Sequence, residues 1–368
     1  MVYHGPARAM GRRRAALLLA LSRVPLVLLL GIVGCAPKVA PAFAQAMADG
    51  RAAARRGDEG AAIAAYERAA QAAPSPHDAA LAQREHAQIL ARRGDVAGAR
   101  RRLQALASQG APEQRAAALR DLAAVELAAG EREAGLAALD TLVRRYPDSP
   151  PARRALLRSL EERSPENAAL YLEGVAPALA TTSLGATAYY QRARLAEARG
   201  ELALARDGYL YVADRWPYPA GTLFEDALTR ASVLEERLGR PARAIAHLER
   251  LLAVREEASL LGSYERSRYA PARFRTGVLY RDALGDKARA AQCFRLVYTT
   301  FPDSTLRDDA LWAEALLSFD AGRSRDGCVL AARLLRDHPR SKYAACARWR
   351  CAELGPAGDA RCPEGAPR

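Results

Sequence analysis

The chain has 368 residues, half of them hydrophobic, with 55 lysines and arginines against 42 acidic residues. Alanine is abundant and aromatic residues make up only 6%, which excludes a β-rich architecture because strands favour β-branched and aromatic side chains. Apolar residues recur at helical spacing, which excludes a largely disordered protein and predicts an all-helical one.

The formal net charge of +13 is partly a property of the N-terminus. Residues 1–35 hold five arginines and no acidic residue. The remaining positive excess is spread along the chain rather than clustered, so we expect solvated basic helix faces and no nucleic-acid binding.

The N-terminus is predicted to be a targeting segment. Arg12, Arg13 and Arg14 lead into Ala15–Ser22, Arg23 and an apolar run over 24–33. A basic segment followed by an apolar segment is typical of a secretory signal. The uninterrupted run of ten residues is shorter than the ~20 apolar residues that a membrane-spanning helix needs.

The run ends in Ile32-Val33-Gly34-Cys35, which resembles the lipobox of bacterial lipoproteins. The resemblance implies cleavage before Cys35 and acylation of that residue, and several acyl chains anchor a protein far more firmly than one. In lipoproteins an Asp after the acylated cysteine retains the protein at the inner membrane. Ala36 occupies that position here, so the resemblance implies sorting to the outer membrane. Two alternatives to a lipoprotein signal remain: an ordinary cleaved signal peptide with an incidental cysteine, or an uncleaved anchor.

A glycine recurs through the rest of the chain at intervals of 36–46 residues, apart from one interval of 70 residues that spans Ser164-Pro165. The residue five positions after each glycine is Ala or Gly in all seven cases, and the ninth residue is large and apolar in six. A proline follows seventeen positions after five of them. These glycines are Gly57, Gly94, Gly130, Gly200, Gly239, Gly285 and Gly322.

Each offset has a physical reason in a chain of helix pairs. A glycine ends a helix by adopting a left-handed backbone conformation. The small residue allows two helices to approach closely, and the bulky residue fills the space between them. The proline stops the second helix, and Ser149, Ser304 and Ser341 are predicted to N-cap the helices that follow.

This pattern resembles the tetratricopeptide repeat, a helix–turn–helix unit of about 34 residues. The match extends from Val39 to Leu354 and is strongest at 43–74, 186–217 and 271–302. The resemblance implies an all-α fold, a TPR-like right-handed α-solenoid of about eight helix pairs, with a capping helix at Lys342–Leu354. The Tyr/Phe-Pro-Asp-Ser junctions resemble those of β-barrel-assembly and Tol–Pal-associated periplasmic lipoproteins.

Two irregularities interrupt the repeat. The Pro177–Gly185 stretch follows a degenerate fourth unit and suggests a hinge, and the interval of 46 residues leaves room for a loop or short helix near Glu256–Ala270. We therefore expect four segments: a lipoprotein signal peptide and lipobox at 1–35, half-solenoids at 36–183 and 184–354, and a Gly/Pro-rich tail at 355–368.

No catalytic, metal or cofactor motif is visible. The histidines lie at spacings that do not suit zinc, and no HExxH, Cys-x-x-Cys, Gly-rich phosphate loop or Gly-x-Ser-x-Gly occurs. We expect a non-enzymatic protein without a cofactor, a metal or a small-molecule substrate. An enzyme of unrecognised type is the alternative.

The remaining cysteines concentrate near the C-terminus, where four of them fall in the last 41 residues. In the oxidising periplasm they suit one or two disulfides that fasten the terminal cap. Stacked repeats bring Cys328 near Cys351, with Cys346 or Cys362 as competing partners, and Cys293 is expected to stay free. Buried, unpaired cysteines are the alternative.

In tetratricopeptide repeats a concave groove is lined by first-helix residues that face away from the second helix. Transferring these sites by spacing from each glycine predicts an N-terminal half that prefers acidic partners, because Arg pairs bidentately with carboxylates. Ordinary surface arginines are the alternative. The predicted groove residues are Arg51, Arg55, Arg84, Gln88, Arg92, Arg120, Tyr190, Arg194, Glu197, Arg275, Asp282 and Trp312.

These features predict a membrane-anchored scaffold for protein–protein interaction in the bacterial envelope, at the periplasmic face of the outer membrane. Its partners would be envelope proteins or their extended acidic segments. The alternative is a regulatory or piloting subunit of an envelope enzyme, a secretin or a motility machine.

Overall fold

The structure, a computed structural model, describes residues 40–254 and 268–356. Cys35, Cys362 and most of the 256–270 and 355–368 segments lie outside these residues. The described part is helical and contains no strand, which confirms the all-α fold. Its seventeen α-helices are α1 (Pro41–Arg56), α2 (Glu59–Gln71), α3 (Pro76–Arg92), α4 (Val96–Ser108), α5 (Pro112–Ala128), α6 (Arg132–Arg145), α7 (Ala152–Glu161), α8 (Pro165–Leu179), α9 (Gly185–Ala198), α10 (Leu202–Arg215), α11 (Phe224–Arg237), α12 (Pro241–Leu252), α13 (Tyr269–Asp282), α14 (Lys287–Thr300), α15 (Arg307–Asp320), α16 (Ser324–Asp337) and α17 (Ala344–Arg350).

The first sixteen helices follow one another in the order expected for eight pairs, and α17 comes after them. The chain divides into two compact units on either side of Gln83. Within the first unit, α1 packs on α2; within the second, each helix from α4 to α17 packs on the next. Such neighbour-to-neighbour packing is typical of repeat proteins. None of the described helices combines the length and apolar character needed to cross a membrane.

The seven glycines of the repeat all lie at the end of a first helix, with φ between 67° and 88°. Only glycine adopts this left-handed region without a steric penalty, which explains its recurrence at the turn. The prediction of the turn positions is therefore confirmed.

The small residues mark the places where paired helices come closest. A Cβ atom on Gly277 of α13 would lie 2.8 Å from Cε1 of Phe294 on α14. A Cβ atom on Gly50 of α1 would lie 2.7 Å from Cε1 of Tyr66 on α2. In each case the aromatic ring occupies the space that a larger side chain on the first helix would need.

Buried carboxylates on first helices pair with arginines from the preceding second helix. Arg100 of α4 donates from Nε and Nη2 to Glu126 of α5, both at 2.6 Å. Arg295 of α14 donates from Nε to Oε1 of Glu314 on α15 at 3.0 Å, and the Tyr298 hydroxyl donates to Oε2 at 2.6 Å. Because an unpaired buried charge is costly, these contacts satisfy the carboxylates that successive pairs enclose.

The predicted serine N-caps are wrong, because α7, α15 and α17 begin three residues after Ser149, Ser304 and Ser341. The Ser304 hydroxyl oxygen accepts a hydrogen bond from the Leu306 N–H at 3.1 Å. The Ser341 hydroxyl oxygen likewise accepts one from the Tyr343 N–H. These serines therefore close a turn that precedes the helix. The capping helix begins at Ala344 rather than residue 342.

The junction between α8 and α9 is a tight, packed turn. Leu179 and Leu184 are both 2% exposed, and the two helices pack on each other. The Ser183 N–H donates to Oδ1 of Asp148 at 2.7 Å. Motion at this turn, and with it a division of the chain at residue 183, stays a prediction.

A disulfide joins Cys328 of α16 to Cys351, the residue after α17, with their Cα atoms 5.7 Å apart. Cys346 of α17 is also disulfide-bonded. Among the described cysteines, Cys293 is free, and it is buried in α14. The short terminal helix is thus tied covalently to the pair before it.

Replacement of Gly277 by Ala tests the close helix approach. Alanine gains about 1 kcal/mol in helix propensity, but its methyl group must displace Phe294, and overpacking costs about 1–3 kcal/mol. We expect a lower free energy of unfolding in urea. Gly174→Ala is the matched control, since Gly174 is exposed within α8 with no neighbour within 4 Å, and it should stabilise by about 1 kcal/mol. Equal stabilisation by both changes would contradict the packing argument.

Thiol labelling of the denatured, unreduced protein tests the disulfides. Peptide mass spectrometry should find label on Cys293 and none on Cys328, Cys346 or Cys351. Replacing Cys328 and Cys351 together by Ser should lower the free energy of unfolding by about 2–4 kcal/mol. Label on Cys328 or Cys351 in the wild-type chain would refute the bridge.

Candidate partner-binding groove

Two adjoining cavities lie along the first helices α9, α11 and α13. The first has a volume of about 360 Å³ and the second about 400 Å³, and both are lined by Thr229 and Arg268. Because the two cavities share these residues, they form one continuous depression, called here the groove. Its other lining residues include Tyr190, Arg194, Asp226, Arg230, Val233, Glu236, Pro271 and Arg275.

Helical periodicity explains why these residues meet. Tyr190, Arg194 and Glu197 follow one face of α9 at spacings of four and three residues. Thr229 and Glu236 lie two turns apart on α11. Each first helix therefore contributes one stripe of side chains to the groove.

The α9–α11 side of the groove is held by Glu197. This carboxylate accepts from the Tyr209 hydroxyl at 2.8 Å and from Nη1 of Arg230 at 3.3 Å. Burial and the hydrogen bond to Glu197 raise the pKa of Tyr209, and burial raises the pKa of Tyr190. Both phenols therefore stay neutral at physiological pH, and Glu197 acts as a structural acceptor beneath the groove.

The other groove arginines also pair with carboxylates. Arg268 pairs with Asp226 and Arg275 pairs with Glu236. The Arg275 side chain is 51% exposed and its Glu236 partner only 16%. Arg230 is likewise 48% exposed against 16% for Glu197. The acids thus lie deeper than the cations, and the groove presents mainly guanidinium N–H groups to the solvent.

A second acid of α11, next in sequence to the groove residue Glu236, is buried. Glu235 accepts from Nη1 of Arg206 at 3.2 Å, and Nε2 of His247 lies 4.0 Å from Oε1 of the same carboxylate. Burial lowers the pKa of His247 even though the nearby Glu235 opposes that effect. Two successive residues of α11 thus have different surroundings: Glu235 lies in the core and Glu236 lines the groove.

The structure brings two of the N-terminal arginines together on one acid. Nε of Arg84 lies 2.6 Å from Oδ2 of Asp121, and Nη2 of Arg120 lies 2.6 Å from Oδ1 of the same carboxylate. Arg84 is only 17% exposed, so it is largely committed to this contact. The other N-terminal groove residues, Arg51, Arg55, Gln88 and Arg92, are exposed.

The prediction that Trp312 lines the groove is wrong. Trp312 is 2% exposed and its ring stacks on Tyr343 with the centroids 5.8 Å apart. It therefore packs within the C-terminal core, against the residue that immediately precedes α17. Asp282 is exposed and pairs with its neighbour Arg281, which holds the pKa of Asp282 below its ordinary value.

Sequence reasoning missed several groove residues, and most of the polar ones come from α11. The offsets that gave Tyr190 and Glu197 from Gly200 give Thr229 and Glu236 when they are counted from Gly239. Nothing in the repeat pattern indicates Arg268, which immediately precedes α13. The missed residues include Asp226, Thr229, Arg230, Glu236 and Arg268.

A family model for the tetratricopeptide repeat matches residues 117–149 and 271–304, which are α5–α6 and α13–α14. No curated protein matches the chain.

Solved structures with a similar arrangement of helices include several repeat proteins. A tetratricopeptide repeat protein from Parabacteroides merdae ATCC 43184 is 17% identical, with 74% of this chain and 98% of that chain covered and a TM-score of 0.32. The C-terminal part of a TPR repeat-containing protein from Cytophaga hutchinsonii is 12% identical, with 73% and 99% covered and a TM-score of 0.43. YrrB, described as a TPR protein with an unusual peptide-binding site, is 16% identical, with 64% and 92% covered and a TM-score of 0.33.

Turn glycines and buried contact residues, both small and large, recur through the described helices. The segments matched by the family model coincide with two of these helix pairs. Within this all-helical fold, residues 117–149 and 271–304 therefore match the tetratricopeptide repeat.

Proposed function

We propose that this protein is a non-enzymatic scaffold that binds extended segments of partner proteins in the groove of α9, α11 and α13. The observation that carries the proposal is the relative depth of the paired charges. The side chains of Arg230 and Arg275 are about half exposed, whereas their partners Glu197 and Glu236 are more deeply buried. Exposed guanidinium N–H groups suit the carbonyl and carboxylate oxygens of a bound segment.

The proposed partner segment is acidic. Arg194 lies exposed in the groove, and Arg51, Arg55 and Arg92 are exposed on the N-terminal first helices. Carboxylates gain both long-range attraction and bidentate hydrogen bonds from such side chains. Arg84 contributes less, because Asp121 already engages it.

We further propose that the chain acts in the bacterial envelope, anchored to the outer membrane through an acylated Cys35. The apolar run before Ile32-Val33-Gly34-Cys35 supports this proposal, since its layout is that of an export signal. The partners would then be envelope proteins that expose acidic segments to the periplasm.

Site-specific photocrosslinking tests the groove. A photoreactive phenylalanine derivative at Thr229 or Arg194 should crosslink to a partner in intact cells, because both residues line the groove. The control position is Val329 on α16, which is 64% exposed and outside the groove. Adducts from Val329 alone would contradict the assignment.

Substitution then tests the charge. Arg194→Ala and Arg275→Ala should each reduce capture of the crosslinked partner by about tenfold, since a hydrogen bond to a charged group contributes about 1.5–3 kcal/mol. The loss should shrink at high salt, because salt screens exposed charges. Arg325→Ala serves as the control for an exposed arginine on the second helix α16. Equal losses from all three would disprove specific recognition.

Intact mass of the membrane-extracted protein tests the anchor. We expect a product that lacks residues 1–34 and carries acyl chains on Cys35. Cys35→Ser should release the chain from the membrane fraction, while Cys293→Ser, a change at the buried free thiol, should leave it there. A soluble wild-type product cut at another position would rule out the anchor without affecting the groove.

A further inference from the structure

A second depression lies on the other side of α9. It has a volume of about 280 Å³ and runs between the second helices α8 and α10. Its lining residues on α9, such as Tyr189, Arg192 and Ala196, lie on a different face of that helix from Tyr190 and Arg194. This depression, called here the cleft, is therefore separate from the groove.

Small residues create the cleft. Ala193 and Gly208 form its floor, where a Cβ atom on Gly208 would lie 2.9 Å from Cβ of Ala193. Ala169 of α8 adds a third small side chain to the lining. Because these side chains are short, α9 and α10 pack closely and leave a hollow above them.

Large apolar side chains surround this hollow and remain exposed to solvent. Leu204 of α10 is 53% exposed and Tyr211, two turns further on, is 41% exposed. Leu170 of α8, next to the lining residue Ala169, is 65% exposed. Burial of exposed apolar surface is favourable, so side chains of this kind indicate an interaction surface.

Three aromatic side chains lie together at one end of the cleft. The rings of Tyr189 and Tyr211 have centroids 4.7 Å apart, and Trp216 lies 5.8 Å from Tyr189 and 6.0 Å from Tyr211. Aromatic side chains lose little conformational freedom on binding and are enriched at protein interfaces.

The rim of the cleft carries both signs of charge. Glu173 lies on the α8 side and Arg192 on the α9 side, and both are exposed. Arg199 also lines the cleft, but Glu201 engages it through two hydrogen bonds of 2.8 and 2.9 Å. Glu173 and Arg192 are thus the rim charges that a docked surface would meet.

We propose that the cleft is the interface of a homodimer, in which the α8–α10 surfaces of two copies pack face to face. A two-fold interface uses the same patch on both copies, so the patch must supply both halves of each contact. This one does: the exposed Leu204 lines an apolar hollow, and Glu173 and Arg192 supply opposite charges on its rim. Glu173 of each copy meets Arg192 of the other.

Co-isolation of two differently tagged full-length chains, produced in one cell and solubilised in non-ionic detergent, tests the dimer. Light scattering of the co-isolated complex should give twice the mass of one chain. Leu204→Glu should weaken the association by about tenfold or more, as expected for the loss of a central apolar anchor. Val329→Glu, which introduces the same charge at another exposed apolar position, should have no effect.

A charge exchange makes the test specific to this geometry. Glu173→Arg and Arg192→Glu should each prevent self-association, because like charges would then face one another. A mixture of the two variants should associate, since every Arg then meets a Glu across the two-fold axis. Far-UV circular dichroism should show that each variant keeps its helices.

The proposal is overturned if the wild-type chain is monomeric, or if a third protein accounts for the mass of the complex. It is also overturned if Leu204→Glu behaves like Val329→Glu, or if the mixed charge variants fail to associate while both remain folded. None of these outcomes bears on the proposal of partner binding in the groove, because the cleft residues lie on a different face of α9.

Discussion

The close approach of paired helices at small residues is the constraint on which the rest of the structure depends. Gly277 leaves room for the Phe294 ring, and Gly50 does the same for Tyr66 in the first unit. Large side chains at these sites would force the helices apart, and successive pairs could not stack at a constant spacing. The turn glycines serve the same end, because a tight left-handed turn returns the chain directly onto the first helix.

Stacking at this spacing encloses carboxylates that arginines must neutralise. Glu126 and Glu314 are each buried where one helix pair meets the next, and each is held by an arginine from the preceding pair. In the groove the same pairing occurs nearer to the solvent, where Arg275 covers Glu236. The polarity of the groove therefore follows from depth: the acids lie against the helices and the guanidinium groups extend outward.

The fifth pair of helices presents two different surfaces on either side of α9. The face with Tyr190 and Arg194 is polar and charged, whereas the face with Tyr189 and Ala196 borders an apolar hollow. A polar groove suits reversible binding of an extended segment, and an apolar hollow suits contact with a complementary folded surface. If both proposals hold, one copy of the chain would bind its partner segment and a second copy at once, without competition between them.

The amino-acid sequence by itself determined the helix pairs, the turns and the buried contact positions. These features depend on residues within one repeat, such as Gly285, Ala290 and Phe294, whose offsets are fixed by helix geometry. The same offsets placed Tyr190 and Arg194 in the groove, and they would have found Thr229 and Glu236 had they been counted from Gly239.

Only the tertiary structure decided which polar side chains remain available. Arg84 is engaged by Asp121, 37 residues later in the chain, and Arg275 by Glu236, 39 residues earlier. Trp312 has the spacing of a groove residue, yet the rings of Tyr343 and Phe319 enclose it in the core. The cleft likewise requires α8, α9 and α10 together. Whether a polar side chain is free to bind a partner depends on the residues that the neighbouring repeat places beside it. The sequence pattern within one repeat does not contain that information.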